Sequence, residues 1–420
     1  MQKGLHLFRV AAAFLEKPEL QKALPRLLAS VWGWLGRIHF NLVLGAEGET
    51  YHHRQLELAK AINDPLNEAF ALAGLARFAT DQSNWSEVIA KAEAALEIFT
   101  RLNHPQGLIL TMTLLGIANQ HPDEMRKWYL QAVEVGRGAG DVRAYLLPLV
   151  NLGYLATDIG QYAEAKAYFQ EAETLFEQTG PVQSGRLYYL WGRLAAFMGE
   201  YDEAFNFFEQ SRAIRLQEGS VYGVAQAERW LGRIYQLRGD MDTARQILQR
   251  SLQSFVEKEH ASSIQIALSH LGLTEEAAGN LALARKHFSE ALELARELNR
   301  TADIVFNQAN LVWVLVGAGE LDAAQAELHQ AYTVLDPHAD PRGALNLLTA
   351  TTAFWIASGQ TERVLPVLSF VLDHPITTAE TKGRARKMLE KMPSPPEAIE
   401  KAQEEMGDLE QIVAYSRNFI

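Results

Sequence analysis

Residues that could do chemistry occur in this chain of 420 residues, but few have the spacing that a site requires. His52 and His53 lie between Glu49 and Glu57, and imidazole and carboxylate groups are ligands for transition metals. Adjacent side chains on a helix point about 100° apart, so the two histidines cannot bind one ion from one face. We therefore predict no metal site here and no cofactor.

Two stretches imitate nucleotide or calcium loops. Gly136–Gly140 reads GRGAG, but no strand precedes it, so we predict a turn between repeats. Asp240 and Asp242 resemble half of a calcium loop, yet the equivalent positions in sister repeats hold other polar residues, which indicates turn and cap residues. His260 and His270 have no acidic or histidine partner four residues away, and no P-loop motif occurs. The sequence therefore predicts a protein that is not an enzyme.

The composition favours a folded protein that does not bind nucleic acid or membranes. Hydrophobic residues make up 48% and charged residues 21%, the balance of a globular domain. The net charge of -12 argues against a nucleic-acid or anionic-membrane partner, which requires a basic surface. The absence of cysteine is typical of a reducing compartment, and no apolar run has the length of a membrane span. We expect a cytoplasmic protein.

The chain repeats one pattern about every 40 residues. Each unit carries a large residue followed by a small one, or their equivalents, at Leu35-Gly36, Leu75-Ala76, Leu115-Gly116, Leu152-Gly153, Trp191-Gly192, Leu231-Gly232, Leu271-Gly272, Leu311-Val312 and Thr351-Thr352. A glycine keeps the same spacing at Gly160, Gly199, Gly239, Gly279, Gly319 and Gly359. Two landmarks in register predict a tandem repeat.

Each unit has the features of a helical hairpin. The small residue on the first helix, helix A, lets the second, helix B, approach closely, and the turn glycine supplies the positive φ that ends helix A. On helix B a small residue precedes a large one by four positions, which places both on one buried stripe. These pairs are Ala165 and Phe169, Ala204 and Phe208, Ala244 and Leu248, Ala284 and Phe288, and Ala324 and Leu328. Tyr162, Tyr201, Trp191 and Trp230 are also expected in the core.

This pattern of Leu/Trp-Gly on helix A, Gly-x-Tyr at the turn and Ala-x3-Phe on helix B resembles the tetratricopeptide (TPR) repeat over residues 24–372, most sharply over 145–332. The resemblance implies an all-α fold: a right-handed α-solenoid of antiparallel helix pairs. It would have about nine units over residues 1–372, the first and last degenerate, and C-terminal capping helices over residues 373–420. Long repeats of this kind resemble the sensor regions of MalT-like regulators and other bacterial STAND signalling ATPases.

The C-terminal segment is predicted to hold a basic helix from Ala379 to Lys391, a proline-rich break from Pro393 to Pro396 and one or two acidic helices. This ending, like the opening KGLHLFRVAAAFL, resembles parts of a STAND-type protein that follow an ATPase domain. The resemblance implies that the chain is a sensor region with an ATPase domain upstream in the full-length protein, in a pathway such as transcription regulation.

The repeat register predicts which helix A side chains line the concave groove of such a solenoid. These side chains lie just after the small residue of each unit, or about one and two helical turns before it. The candidate ligand-binding residues are Arg186, Tyr189, Arg193, Gln226, Arg229, Arg233, Gln236, Ile266, Phe306 and Trp313. Arginine suits carboxylate or phosphate, and the aromatic residues add apolar area. A cationic centre beside an apolar end predicts a peptide with an acidic and a hydrophobic part.

The alternative is a structural role, in which Arg193, Arg229 and Arg233 pair with glutamates such as Glu228 or Glu276 of neighbouring repeats. We favour recognition: a TPR module that binds a protein, a peptide or a small ligand, as the sensor or scaffold region of a STAND-type protein. The second hypothesis is a freestanding TPR adaptor or peptide-pheromone receptor.

Overall fold

The structure is a computed structural model. It describes residues 2–41, 45–82, 84–119, 121–179, 184–392 and 407–420. These residues fold into helices that form two compact units, residues 1–155 and 156–420. The whole of the predicted proline-rich break, from Pro393 to Pro396, and residues 397–406 lie outside the described residues.

The first unit consists of two short N-terminal helices and three helix pairs. Its helices are α1 (Gln2–Leu15), α2 (Pro18–Ala23), α3 (Pro25–Asn41), α4 (Gly45–Ala61), α5 (Pro65–Asp81), α6 (Trp85–Arg101), α7 (Pro105–Ala118) and α8 (Pro122–Ala139), and α9 (Val142–Asp158) begins in it. Proline opens α5, α7 and α8, where its missing N–H costs no helical hydrogen bond.

The second unit continues the pairs and ends in shorter helices. Its helices are α10 (Tyr162–Thr179), α11 (Ser184–Met198), α12 (Tyr201–Gln217), α13 (Val221–Leu237), α14 (Met241–Glu257), α15 (Ala261–Ala277), α16 (Leu281–Glu297), α17 (Thr301–Ala318), α18 (Leu321–Val334), α19 (Pro341–Ala357), α20 (Val364–Asp373), α21 (Ala379–Leu389) and α22 (Leu409–Arg417). The predicted large–small pairs all fall in odd-numbered helices from α3 to α19, so these are the A helices. The predicted all-α solenoid is confirmed.

Close helix approach depends on the predicted small residues. A Cβ on the helix A glycine would lie 2.7 Å from the partner side chain on helix B at Gly192 with Phe208, Gly232 with Leu248 and Gly272 with Phe288. Such a contact is shorter than van der Waals packing permits, so only glycine fits. The predicted small and large residues of the B helices from α10 to α18 are all fully buried, as expected.

The turn glycines have the predicted left-handed conformation, with φ between 76° and 89° at Gly160, Gly199, Gly239, Gly279, Gly319 and Gly359. The turns that lead from a helix B to the next helix A use a second set of positive-φ residues. These are Asn63, Asn103, Gly140, Gly219, Glu259 and Asn299. Both kinds of turn therefore use the same backbone device where these residues occur, whereas α7 and α18 end in extended residues, Asn119 and Leu335.

The C-terminal helices close the core of the second unit. Trp355 of α19, Leu368 of α20 and Ile412 of α22 lie in one apolar cluster with Ala385 and Met388 of α21. None of the described helices combines the length and apolar character needed to cross a membrane.

Candidate ligand-binding groove

Helix α21 lies across the A helices of the second unit, on the face where the sequence places the groove. Glu380 contacts α13, Arg384 contacts α15 and α17, and Met388 contacts α19. These three residues are four apart and therefore share one face of α21. We call this side of the A helices the inner face, and define it by Arg193, Arg229, Arg233, Glu276 and Trp313.

Arg233 binds a carboxylate of α21. The side chain is 4% exposed and donates from Nη2 to Oε2 of Glu380. Burial alone would raise the pKa of Glu380, but the guanidinium groups of Arg233 and Arg384 outweigh it and hold this pKa below its usual range. The Nη1 atom of Arg233 has no hydrogen-bond partner within the described part of the chain. Glu380 thus neutralises the charge of Arg233 but leaves the Nη1 donor of this arginine unused.

Arg384 of α21 joins two repeats. It donates from Nη2 to Oε2 of Glu276 over 2.6 Å and from Nη1 to Oδ1 of Asn310 over 3.3 Å. Its guanidinium also lies over the ring of Trp313, 4.9 Å from the ring centroid, a distance that allows a cation–π interaction. The predicted apolar end of the groove therefore holds a cation of the chain itself.

Asp158 at the end of α9 is shared by two arginines. Its Oδ1 accepts from Nη2 of Arg193 over 3.0 Å and from Nη2 of Arg342 over 2.7 Å. Arg342 begins α19 and lies over the ring of Phe197 of α11, 4.3 Å from its centroid. The second unit thus curves until the start of α19 meets the ends of α9 and α11.

Arg229 is a buried cation with a neutral partner. It is 5% exposed and donates from Nη2 to the hydroxyl oxygen of Tyr189 over 3.0 Å, which also accepts from Nε1 of Trp230 over 3.0 Å. Its Nε has no hydrogen-bond partner, and no carboxylate of the described ranges pairs with it. A buried charge without a counter-charge is costly, which makes this arginine the strongest indication of a ligand.

His270 adds no charge to the inner face. It lies edge-on to Trp230, with 5.5 Å between ring centroids. Burial first, and then the charges of Arg229, Arg233 and Arg193, lower the pKa of His270 well below its usual value. The imidazole is therefore neutral at physiological pH.

The other predicted groove residues have mixed positions. Arg186 is exposed on α11, and Gln226 donates to the hydroxyl of Tyr222 over 3.0 Å. Gln236 has a buried Oε1 without a hydrogen-bond partner among the residues described. Ile266 is half-buried, and Phe306 is half-buried against the apolar cluster that contains Phe288. The structure thus brings Tyr189, Arg193, Arg229, Arg233 and Trp313 into one region and leaves the others at its margin.

Some expectations need correction. Glu228 pairs with Arg250 over 2.8 Å and Glu276 with Arg384, so neither glutamate neutralises the arginines of the inner face. Tyr162 and Tyr201 are half-buried rather than core residues, because the first position of helix B faces the segment around α21. The hydroxyl of Tyr162 donates to the carbonyl oxygen of Ile376 over 3.3 Å. Trp191 and Trp230 are buried as predicted.

The chemistry-bearing motifs have structural explanations. His52 is buried, contacts Gln55 with 3.1 Å between Nδ1 and Oε1, and has its pKa lowered to about 4, mainly by burial. Asp240 caps α14 by accepting from the N–H of Thr243, as predicted. The predicted turn at Gly136–Gly140 is shorter than expected, because residues 136–139 are the last turn of α8 and only Gly140, with φ of 67°, lies in the turn. In the described residues no group of three histidine or acidic side chains could hold a metal ion.

Sequence reasoning missed the partners of the inner face: Asp158, Arg342, Glu380 and Arg384. Asp158 occupies a position with no acidic equivalent in most repeats, and the α21 segment lies outside the repeat register. The available signal was the four-residue spacing of an acid, a base and an apolar residue in Glu380, Arg384 and Met388, which defines one helix face.

Comparison with known proteins agrees with this architecture. A family model described as tetratricopeptide repeat matches residues 183–255, and a second of the same description matches residues 148–179. Tetratricopeptide repeats occupy this part of the chain. A search of curated proteins gave no significant match.

Among solved structures, a Rap protein complexed with competence and sporulation factor has a TM-score of 0.60 at 13% identity, covering 86% of this chain and 100% of that chain. NprR in complex with its cognate peptide NprX has a TM-score of 0.53 at 14% identity, covering 75% and 98%. The Rap conjugation gene regulator of plasmid pLS20 in complex with the Phr* peptide has a TM-score of 0.53 at 15% identity, covering 81% and 94%. At these identities the likeness concerns the fold alone.

Proposed function

We propose that the second unit is a non-enzymatic binding module whose inner face receives a protein or peptide ligand. The observation that carries this proposal is Arg229, which is 5% exposed and has no carboxylate partner in the described residues. It lies near Trp230, as does Arg193, with the two guanidinium groups 5.9 and 6.0 Å from the ring centroid. A ligand carboxylate here would form charge-assisted hydrogen bonds and remove the cost of the unpaired charge.

The three solved structures support a peptide as ligand. Each is a complex with a peptide or with competence and sporulation factor. These complexes favour the second hypothesis, a freestanding adaptor or peptide receptor. A cytoplasmic site of action rests on the absence of cysteine. The STAND-type context, with an upstream ATPase domain, rests on the long repeat and on the resemblance of the opening and C-terminal segments. Reading the genomic frame upstream of Met1 for a P-loop domain distinguishes the two.

The binding proposal is tested with a displayed library of random peptides and the full chain. We expect the library to yield peptides that combine Asp or Glu with apolar residues. Arg229→Met keeps most of the side-chain volume and removes the charge, so it should weaken the selected peptides at least about tenfold, the worth of one charged hydrogen bond.

The matched control is Arg285→Met on α16. Arg285 is half-exposed and pairs with Glu320, away from the inner face. This variant should bind the selected peptides like the wild type. Equal binding of those peptides by Arg229→Met would overturn the assignment of the inner face.

A further inference from the structure

Helix α21 is held by two different kinds of contact. Its rear half, Ala385 and Met388, is buried in the apolar cluster formed with α19 and α20. Its front half is held mainly by polar contacts: Glu380 and Arg384 pair with the A helices, Thr381 is buried, and Glu380 remains 33% exposed. The front half therefore resembles a bound ligand, whereas the rear half belongs to the core.

The geometry of this contact defines what the inner face accepts. Each turn of α21 reaches a further A helix: Glu380 meets Arg233 of α13, and Arg384 meets Glu276 of α15 and Trp313 of α17. The inner face thus presents a cation followed by an anion and an aromatic ring at the spacing of one helical turn. Its complement is a helix with an acidic residue four positions before a basic one.

The front half is poorly suited to permanent attachment. Gly383 lies between Glu380 and Arg384, inside the helix, and nothing lies within 4 Å of the place where a Cβ would be. No packing demand therefore explains the glycine, and because glycine is the weakest helix former after proline, it weakens the front half of the helix. Arg233 and Arg229 also retain donor atoms without partners in the described chain, which a longer ligand could use.

Resting on the binding function proposed above, we propose that the front half of α21 is an internal occupant of the groove. The external partner is an amphipathic helix that carries the acid-x3-base pattern on one face and displaces residues 379–384. Because Arg233 is nearly inaccessible, no ligand carboxylate reaches it until Glu380 leaves. The apparent affinity for the partner is then the intrinsic affinity multiplied by the fraction of molecules in which the groove is open.

The probe is a fluorescent peptide with the chain's own residues 374–392, HPITTAETKGRARKMLEKM, titrated by anisotropy into three full-length proteins. The release variant is Glu380→Gln with Arg384→Gln, which removes both ionic contacts of the front half. We expect it to bind the probe at least about tenfold more tightly than the wild type. Gly383→Ala strengthens the internal helix and should weaken the probe about fivefold, the factor that corresponds to the helix propensity difference.

Hydrogen exchange on the same samples identifies what moves. Saturating probe should raise the exchange of residues 379–384, leave residues 385–389 protected, and slow exchange in α13 and α15. Equal probe affinity for all three proteins, or unchanged protection of residues 379–384, overturns the internal occupant and leaves the binding function intact. Absence of probe binding to a folded release variant contradicts the acid-x3-base partner. If that variant also yields no peptide from the random library, the binding function itself is wrong.

Discussion

Replacement of Asp158 by Asn should loosen the contact between the start of α19 and the end of α9. Asp158 accepts from both Arg193 and Arg342, and the three side chains are 22%, 14% and 21% exposed. A hydrogen bond to a charged group contributes about 1.5–3 kcal/mol. The asparagine oxygen can still accept one bond, and water reaches the arginines in part, so we expect a net cost of about 2 kcal/mol.

The measurement is hydrogen exchange in the first turns of α19. Because every 1.4 kcal/mol is tenfold, local opening that costs about 2 kcal/mol less should speed exchange about 30-fold. The matched control is Glu320→Gln, which breaks the pair of Arg285 and Glu320. Those side chains are 50% and 45% exposed, so the loss should stay below about 1 kcal/mol.

The reasoning would be refuted by similar exchange factors in the two variants, or by acceleration spread evenly over the second unit. A double variant with Arg342→Met should show coupling of about 0.5–3 kcal/mol with Asp158→Asn, as expected for residues in direct contact.

Three further outcomes are expected. Gly272→Ala forces a Cβ against buried Phe288 and should destabilise the second unit by about 1–2 kcal/mol, whereas Gly317→Ala, whose Cβ meets its nearest neighbour at 3.4 Å, should be neutral or stabilising in thermal unfolding. His52, with its pKa lowered to about 4, binds a proton more readily when unfolded, so it should contribute about 2 kcal/mol to the loss of stability from pH 7 to pH 5 in denaturant titration, and a His52→Asn variant should show a loss smaller by that amount. The lowered pKa of Glu380 means that the stabilisation from its ionised carboxylate is complete above the usual carboxyl pKa of 4.5 and is lost as pH falls through the lower folded value. Hydrogen exchange should therefore show that the protection of α21 persists below pH 4.5 and is lost at still lower pH, whereas in Glu380→Gln the protection should not depend on this titration.

The repeat itself was readable from the sequence because its determinants are local. The glycines of helix A, the turn glycines and the buried stripe of helix B are each fixed by contacts within one hairpin, and their spacing repeats. A further local signal was present but unused: Asn63, Asn103 and Asn299 occupy the same turn of their repeats, between a helix B and the next helix A, and have positive φ. Asparagine is among the few residues that tolerate this conformation.

The occupant of the groove was not readable, because it depends on accumulated curvature. Whether Glu380 meets Arg233 follows from small rotations added over several repeats, and no single residue encodes that sum. The register placed Arg233 and Trp313 on the inner face, and both residues contact α21. Leu273 has the same register position, directly after Gly272, but it is buried in the apolar cluster that contains Phe288. Register thus predicts the side of the helix and not the neighbour.

The distance along the chain between Arg233 and Glu380 has a consequence for biosynthesis. The ribosome makes Glu380 147 residues after Arg233. At about 5–20 residues per second, the interval is roughly 7–30 s, longer than hairpins of this size need to fold. During that interval the folded repeats have an open inner face with unneutralised arginines. A nascent chain could therefore meet its partner before its own C-terminal helix exists, and the order of synthesis would then decide which helix binds first.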